Sequence, residues 1–292
     1  MLHMRNLFSE SRLEITTRIG CKINCNYCPQ YLLVKCYNEK YGEAEIDMSI
    51  DIFKSCVNKL PLNTRIDFSG MCEPWLNPDC TEMLMYATKR GHPVAVYTTL
   101  DGMTLNDWQI IKSIKYECFV LHLPDSQSNS FISITPEYLD ILNEAVSIKT
   151  YDGSSFISYY SCHGDIHPDV TDIIPTNVQI RKKMHDRAGN VNDPSLQHYQ
   201  HKDIIICKNS KFSLNHNVLL PNGTVLLCCM DYGMKHILGN LLEQSWEELH
   251  MSKKWRLLRK SFFDSSIDTL CRSCTNAVHP IAISTTAIHP NA

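Results

Sequence analysis

Three cysteines lie close together near the start of the chain, in the segment GCKINCNYCPQ that covers residues 20–30. Thiolates bind zinc and iron–sulfur clusters, and both kinds of site usually take four protein ligands. Cys21, Cys25 and Cys28 supply three, and the loop holds no fourth Cys or His. A four-iron cluster on three thiolates leaves one iron open to a small chelating molecule, which is the preferred interpretation. The alternatives are a zinc site or unrelated buried thiols.

Further cysteines toward the other end of the chain predict a second site. They are Cys207, Cys228, Cys229, Cys271 and Cys274. The segment KFSLNHNVLLPNGTVLLCCMD predicts a hairpin that turns at residues 221–223 and brings Cys207 near Cys228. A helix would then return the chain so that CRSC completes a cage of four thiolates. Such a cage suits zinc or a fully ligated iron–sulfur cluster, and the spacing alone does not choose between them.

The elements that position these cysteines alternate between strand and helix over the first 165 residues. Predicted strands cover residues 13–20, 64–70, 94–100, 118–124 and 155–161, with helical patterns between them. This alternation is typical of parallel strands joined by right-handed crossovers. The predicted fold class is α/β, as an open, partial TIM-type barrel or a doubly wound sheet. Either fold collects ligands at the carboxyl ends of its strands, where the cysteine loop lies.

The alternation ends near residue 165, and the pattern after it predicts a smaller unit. VQIRK could add one more strand, residues 243–263 read as one helix, and the last residues have no periodicity. The predicted domains are a (β/α)6 barrel at 1–190, an α+β cluster-binding extension at 191–280, and a loose tail at 281–292.

The composition of the chain limits which binding partners and which cellular compartment we expect. The net charge of −3 offers no basic field for nucleic acid, and no apolar run is long enough to span a membrane. The first residues lack the features of a signal peptide, so we expect a cytoplasmic protein. Fourteen cysteines in a long chain without an export signal favour metal or redox chemistry in a reducing cytosol over disulfides.

The cysteine loop after the first strand resembles the radical S-adenosylmethionine superfamily, whose members hold a four-iron cluster by C-x-x-x-C-x-x-C. IDFSGMCEPWLNP resembles the family's second-strand motif, with Cys72 where Gly is common, and VYTTLDG resembles its third-strand element. The resemblance implies that the open iron chelates S-adenosylmethionine. The residues it implies near that cofactor are Tyr27, Gly70, Met71, Cys72, Glu73, Thr98, Thr99 and, more weakly, Ser158. Glu14 and Tyr159 are weaker candidates at the barrel mouth.

The second cysteine set resembles the SPASM or shorter "twitch" extension of such enzymes, which carries auxiliary four-iron clusters. Four or five cysteines imply one auxiliary cluster, held by Cys207, Cys228, Cys271 and Cys274. Cys228 is preferred to Cys229 because it follows the hairpin glycine by five residues, as the family's ligand does. HDRAGN resembles a short element that precedes this extension, which makes Arg187 a candidate to bind a carboxylate or a polar substrate. Cys162 and His163 are candidates for proton transfer, with a structural role as the alternative.

The resemblance implies that the enzyme cleaves S-adenosylmethionine to a 5′-deoxyadenosyl radical, which abstracts hydrogen from a substrate. An auxiliary cluster that accepts an electron would make the net reaction an oxidation, and a sugar-like alcohol is the first expectation for the substrate. A peptide maturase is the alternative, somewhat disfavoured because little sequence precedes the first strand. A non-catalytic iron–sulfur sensor or electron carrier is a remote one. A flavodoxin or ferredoxin is expected to supply the reducing electron.

Overall fold

The computed structural model describes residues 11–42, 44–150, 153–182, 184–193 and 195–281. Six parallel strands follow one another across a single sheet. They are β1 (Arg12–Ile15), β2 (Arg65–Phe68), β3 (Val94–Thr98), β4 (Cys118–His122), β5 (Tyr159–Ser161) and β6 (Ile180–Arg181). The predicted α/β fold with an open, partial barrel is confirmed, since the two edge strands of the described sheet do not pair with each other.

Helices connect these strands on the outer face. They are α1 (Gln30–Tyr41), α2 (Ile50–Val57), α3 (Cys80–Lys89), α4 (Leu105–Ile111), α5 (Pro136–Ser147) and α6 (Pro168–Thr171). Side-chain caps fix several starts: Ser49 accepts from the Ile52 amide, and Thr104 forms a capping box with Asp107. The sequence did not predict α1, whose buried residues number only three and include the polar Gln30.

The C-terminal part of the chain extends the same sheet. Strand β8 (His216–Leu219) pairs in parallel with β1, and β9 (Thr224–Leu226) and β10 (Ile237–Asn240) follow in antiparallel order, which confirms the predicted hairpin. The nine strands run β10-β9-β8-β1-β2-β3-β4-β5-β6. A separate two-stranded sheet pairs β7 (Ile206–Cys207) with β11 (Ala277–Val278). The C-terminal part of the chain therefore continues the sheet from the first strand of the barrel.

The predicted helix over residues 243–263 is wrong as a single element. The structure has two helices there, α7 (Trp246–Met251) and α8 (Lys253–Ser261). Ser252 between them is extended, with ψ 157°, and its side chain accepts from the Trp255 amide. A serine that caps a new helix start competes with continuation of the old helix, and the continuous apolar spacing of the sequence hid this break.

Alternation along β1 separates the core from the barrel interior. Leu13 and Ile15 are fully buried under the helices, whereas Glu14 lies on the opposite face of the strand and so points into the barrel. No helix among the described residues is long and apolar enough to cross a membrane. The predicted loose tail lies outside the described residues, apart from Ile281.

Candidate active site

A cavity of about 140 Å³ opens at the carboxyl ends of β1 to β4. Its lining includes all three cysteines of the first loop, together with most of the residues that the resemblance placed near a cofactor. The predicted residues in the lining are Cys21, Cys25, Cys28, Tyr27, Gly70, Met71, Cys72, Glu73, Thr99 and Arg187. The parallel register gathers four strand ends around a single space, and two distant segments, which carry Arg187 and Tyr232, complete it.

The cysteine loop is a compact turn. Asn24 adopts φ 45°, and the Cys28 amide donates to the Cys25 carbonyl at 3.0 Å. Burial raises the pKa of Cys21 to about 11 and that of Cys25 to about 12, so without a metal these groups are thiols. Metal ligation by such groups releases protons.

Within the described residues, no three His, Cys, Asp or Glu donors converge on a point suited to a single metal ion. A four-iron cluster binds each thiolate through a different iron, and Cys21, Cys25 and Cys28 supply three such donors within one loop. The donor chemistry of the loop therefore fits a cluster.

The loop after β2 lies against the end of β1. Gly70 has φ 52°, and a Cβ there would come within 2.6 Å of the Ile15 carbonyl oxygen and of Thr16 Oγ1. The Met71 amide donates to Thr16 Oγ1 at 3.1 Å, and the Gln30 amide group donates to the Met71 carbonyl. Only glycine allows this approach of two backbones. Gly70 thus forms part of a cradle that exposes main-chain atoms to the cavity.

Glu73 is buried beside this cradle and is held by the end of β3. Its carboxylate accepts from Thr98 Oγ1 at 2.6 Å, from the Thr99 amide at 2.6 Å and from Thr99 Oγ1 at 2.8 Å. Burial raises the pKa of Glu73 to about 7, and the bonds from Thr98 and Thr99 oppose this rise. Thr98 itself is fully buried and is not among the lining residues, so its link to the cavity runs through Glu73.

Tyr27 and Cys72 line the cavity and have protein partners. The Tyr27 hydroxyl contacts the Cys25 thiol, and its ring meets that of His163 edge-on with centroids 4.2 Å apart. Cys72, which stands where the resembling motif has glycine, places its sulfur 3.4 Å from Thr17 Oγ1.

Besides Thr98, the predicted residues Glu14, Tyr159, Cys162 and Ser158 are absent from the lining of this cavity. Cys162 is 1% exposed and its thiol points to the Pro124 carbonyl at 3.9 Å, which agrees with the structural alternative. Ser158 precedes β5 and therefore lies at the amino ends of the strands, opposite to the expected barrel mouth. Its hydroxyl accepts from the Phe119 amide, and it lines a different cavity.

A second, more enclosed cavity of about 60 Å³ contains the later cysteines. Its lining includes all five later cysteines, Cys207, Cys228, Cys229, Cys271 and Cys274. Cys207 stands opposite Ala277 in the small sheet, and the turn at residues 270–273 presents Cys271 and Cys274. Burial raises the pKa of Cys271 to about 12 and that of Cys274 to about 11. The predicted four-thiol set thus meets in one pocket, as the spacing of CRSC indicated.

Cys228 and Cys229 face different surroundings although they are neighbours in the chain. Both line the enclosed cavity, and Cys228 packs in the same apolar cluster as Cys271 and Cys274. Cys229 packs instead in a second apolar cluster and hydrogen-bonds to Glu14. This arrangement supports Cys228 as the fourth thiolate of the enclosed cavity.

Glu14 stands between the two cavities. It lines the enclosed one, and its carboxylate accepts from the Ser69 hydroxyl, which lines the open one, at 3.2 Å. Burial raises the pKa of Glu14 to about 7, helped by the Asp67 carboxylate and opposed by Cys229, Ser69 and Arg187. The sequence ranked Glu14 low because its position between two sites depends on the pairing of β1 with β8.

Arg187 approaches from the segment between the barrel and the extension. It adopts φ 51°, and its guanidinium lies 6.0 Å from the centre of the Tyr232 ring. Burial favours the neutral form of Arg187, but Tyr232 and the thiols of Cys28 and Cys229 outweigh this and raise its pKa. The cavity therefore has a permanent cation opposite its cysteine loop.

Sequence reasoning missed six lining residues, namely Ile23, Gln30, Ser69, Tyr97, His122 and Tyr232. His122 ends β4, and burial lowers its pKa to about 4, which keeps the imidazole neutral. His122 lies near the end of a predicted strand, and that position could have indicated a place at the cavity. No sequence signal placed Tyr232 beside the first loop.

The open sheet with its strand-end cysteine loop is the fold of radical S-adenosylmethionine enzymes, and residues 207–275 match the family model of the SPASM iron–sulfur cluster-binding domain. The structure of BtrN in complex with AdoMet and 2-DOIA aligns with a TM-score of 0.61 at 17% identity, covering 93% of this chain and 94% of that chain. These findings confirm the resemblance drawn from the cysteine motifs.

Two other solved structures have the same fold. SuiB of Streptococcus suis bound to precursor peptide SuiA aligns with a TM-score of 0.53 at 16% identity, covering 94% of this chain and 71% of that chain. The anSMEcpe structure with bound AdoMet gives 0.50 at 13% identity, covering 91% and 83%. No curated protein sequence matches the chain.

Proposed function

We propose that the protein cleaves S-adenosylmethionine reductively and uses the resulting radical to oxidise a small, sugar-like alcohol. The observation that carries this proposal is the pairing of two cysteine pockets, an open one lined by the three thiols of the first loop and an enclosed one lined by Cys207, Cys228, Cys271 and Cys274. Each pocket has one further thiol in its lining, Cys72 in the open one and Cys229 in the enclosed one. An open pocket suits a cluster that must bind a small molecule. An enclosed pocket suits a cluster that only exchanges electrons.

The open pocket offers the groups that S-adenosylmethionine needs. Cys21, Cys25 and Cys28 would hold the first cluster, and the main chain at residues 70–72 and the Glu73 carboxylate would receive the amino group of the cofactor. When bound, cluster and cofactor supply a 5′-deoxyadenosyl radical, released with methionine after one electron enters from an external donor. Gly70 fits this assignment because the position tolerates no Cβ and brings the main chain into the cavity.

The enclosed pocket would hold the auxiliary four-iron cluster. Oxidation of an alcohol removes a hydrogen atom, which goes to the 5′-deoxyadenosyl radical, and then one proton and one electron. Cys207, Cys228, Cys271 and Cys274 would hold the group that accepts this electron. Zinc in this pocket is the alternative, and it could not accept an electron.

Glu14 is the residue we assign to the proton. It lines the enclosed pocket and accepts a hydrogen bond from Ser69, which lines the open one, and a pKa of about 7 makes it a general base matched to neutral pH. Arg187 would orient an oxygen of the substrate, because a guanidinium donates to oxygen acceptors but cannot itself take the proton. His122 is neutral and lines the same space, where it can accept a hydrogen bond from a hydroxyl group.

A small molecule is the favoured substrate class because the open cavity is compact, at about 140 Å³. The similarity to BtrN, whose structure holds the small molecule 2-DOIA, extends over nearly the whole of both chains. A peptide substrate is the second candidate, since the SuiB structure of the same fold holds a precursor peptide.

A reducing, cytoplasmic setting and an electron donor such as flavodoxin or ferredoxin belong to the same proposal. All fourteen cysteines lie in the described residues and are free, and a disulfide between them would remove thiolates from either pocket. The net charge of −3 leaves nucleic acid without a basic surface.

Anaerobic reconstitution followed by cofactor cleavage tests the proposal. The chain should take up about eight irons, and dithionite with S-adenosylmethionine should yield 5′-deoxyadenosine. A variant with Cys21, Cys25 and Cys28 all replaced by Ala should retain about four irons and give no product. Product from that variant, or zinc in the second pocket of the active protein, would contradict the proposal. Assays with aminocyclitols and with cysteine-bearing peptides then separate the two substrate classes.

A further inference from the structure

The extension places a tyrosine hydroxyl on a cysteine of the first loop. Tyr232 Oη lies 3.1 Å from Cys28 Sγ, although 204 positions separate the two residues in the chain. Tyr232 lies within the segment 207–275 that matches the cluster-binding domain, whereas Cys28 belongs to the barrel. One hydrogen bond thus links the C-terminal domain to the thiol that would hold the first cluster.

The turn that carries Tyr232 is fixed by its own hydrogen bonds. The Asp231 carboxylate accepts from the Lys235 and His236 amides at 2.8 and 2.7 Å, and the Asp231 amide donates to the Cys228 carbonyl at 3.0 Å. Asn190 adds a bond to the Met230 carbonyl. These bonds hold the turn in shape, so the hydroxyl is positioned in advance.

The Tyr232 ring leaves its hydroxyl little freedom. The residue is 2% exposed and packs in an apolar cluster with Leu33, Met71 and Val218. Arg187 lies 6.0 Å from the ring centre, and this cation draws electron density from the ring and strengthens the hydroxyl as a donor.

A cysteine that binds iron is a thiolate, so it can only accept hydrogen bonds. In the cluster-bound protein the Tyr232 hydroxyl must therefore be the donor to Cys28. The Gln30 side chain is a weaker second donor, with its nitrogen 3.7 Å from the same sulfur. Hydrogen bonds to the sulfurs are one of the factors that set the reduction potential of an iron–sulfur cluster.

We propose that Tyr232 is a positioning residue that raises the reduction potential of the first cluster by donating a hydrogen bond to Cys28. The reduced cluster carries one more negative charge, so a donor at its sulfur stabilises the reduced form more than the oxidised form. The inference rests on the proposed function, because it requires a cluster at the three-cysteine loop. The extension would then have two roles: it would hold the auxiliary cluster, and it would adjust the reduction potential of the first cluster through Tyr232.

The test compares wild-type protein with Tyr232→Phe, which removes the hydroxyl and keeps the ring. Both are reconstituted and titrated with dithionite, and the reduced cluster is followed by the paramagnetic resonance signal that changes on addition of S-adenosylmethionine. We expect a more negative midpoint potential for Tyr232→Phe. Tyr41→Phe is the matched control, because Tyr41 packs against the same apolar cluster and its hydroxyl accepts from Thr224 instead. An unchanged midpoint in Tyr232→Phe would overturn the inference.

A second measurement tests the same hydrogen bond without determining a midpoint potential. After exchange into deuterium oxide, the reduced wild-type cluster should show an exchangeable deuteron coupling that Tyr232→Phe lacks and Tyr41→Phe retains. Equal couplings in all three proteins would likewise overturn the inference. Absence of any signal that responds to S-adenosylmethionine, in wild type as well, would instead refute the proposed function, so the two failures are distinguishable.

Discussion

Thr98 donates a 2.6 Å hydrogen bond to the Glu73 carboxylate from the end of the neighbouring strand, and Thr99 donates two more. The resemblance had placed both threonines beside the cofactor. In the structure both threonines donate hydrogen bonds to Glu73, which faces the cavity. The third-strand element therefore positions the carboxylate of the second-strand motif. An ionised, oriented Glu73 is the state that would receive an ammonium group.

Thr98→Val should therefore weaken the binding of S-adenosylmethionine although Thr98 does not line the cavity. A hydrogen bond to a charged group contributes about 1.5–3 kcal/mol to stability. The bond exists before the cofactor binds, so only part of this enters the affinity, and we expect a loss of about threefold or more. Equilibrium dialysis with the reconstituted protein measures the change. Thr88→Val on α3 is the control, because that hydroxyl bonds only to its own helix at the Leu84 carbonyl. Equal affinity in wild type and Thr98→Val would show that Glu73 does not depend on this bond.

Cys228→Ala and Cys229→Ala should differ in iron content. Cys228 shares its apolar cluster with the other thiols of the enclosed cavity, whereas Cys229 hydrogen-bonds to Glu14. We expect Cys228→Ala to lose about four irons per chain and Cys229→Ala to keep the wild-type content. Iron analysis after anaerobic reconstitution measures both, and the reverse pattern would assign the fourth ligand to Cys229.

Glu14→Gln should slow substrate oxidation and remove its dependence on pH near neutrality. The pKa of Glu14 is raised to about 7, and the general base must be the carboxylate. In the wild type, the oxidation rate should therefore fall about tenfold per pH unit as the pH drops below 7. Glu14→Gln should give a low, flat profile while 5′-deoxyadenosine still forms without substrate. A variant that keeps the acidic fall in rate would assign the proton to another group.

Gly70→Ala should destabilise the protein more than Gly91→Ala does. Both glycines have positive φ, at 52° and 88°, so both substitutions carry the backbone cost of about 1–2 kcal/mol. Only Gly70 meets neighbouring atoms, at 2.6 Å from Ile15 O and Thr16 Oγ1, while nothing lies within 4 Å of an added Cβ at Gly91. Thermal unfolding of the two variants measures the difference. Equal losses in Tm would mean that the close approach at Gly70 relaxes freely.

Local patterns predicted the parallel sheet and the two cysteine sets, because each depends on residues near one another in the chain. Strand-and-helix alternation fixed which end of the sheet would carry the loops, so the cysteine loop and Glu73 were expected at the same edge. The predicted fifth strand, residues 155–161, ends where β5 ends, but β5 begins only at Tyr159. Ser158 therefore precedes the strand, whereas the prediction had placed it within the strand.

Contacts between distant segments could not be predicted from spacing. The pairing of β8 with β1 puts Glu14 beside Cys229 and brings the Tyr232 turn to Cys28. Neither contact has a periodic pattern or a motif, since each depends on the register between strands about 200 positions apart. The same pairing decides which apolar cluster Cys228 and Cys229 each pack against.

Strand β1 is flanked by β2 on one edge and by β8 on the other. During synthesis β2 is made early and can pair with one edge of β1. The other edge of β1 cannot pair until β8, which ends at Leu219, has left the ribosome, and its backbone amides and carbonyls are unpaired until then. The nascent barrel is thus exposed to strand addition by other chains until the hairpin docks. A chain truncated before that hairpin would lose the second pocket. It would also leave the edge of β1 unpaired beside the cysteine loop, where a strand of another chain could pair with it.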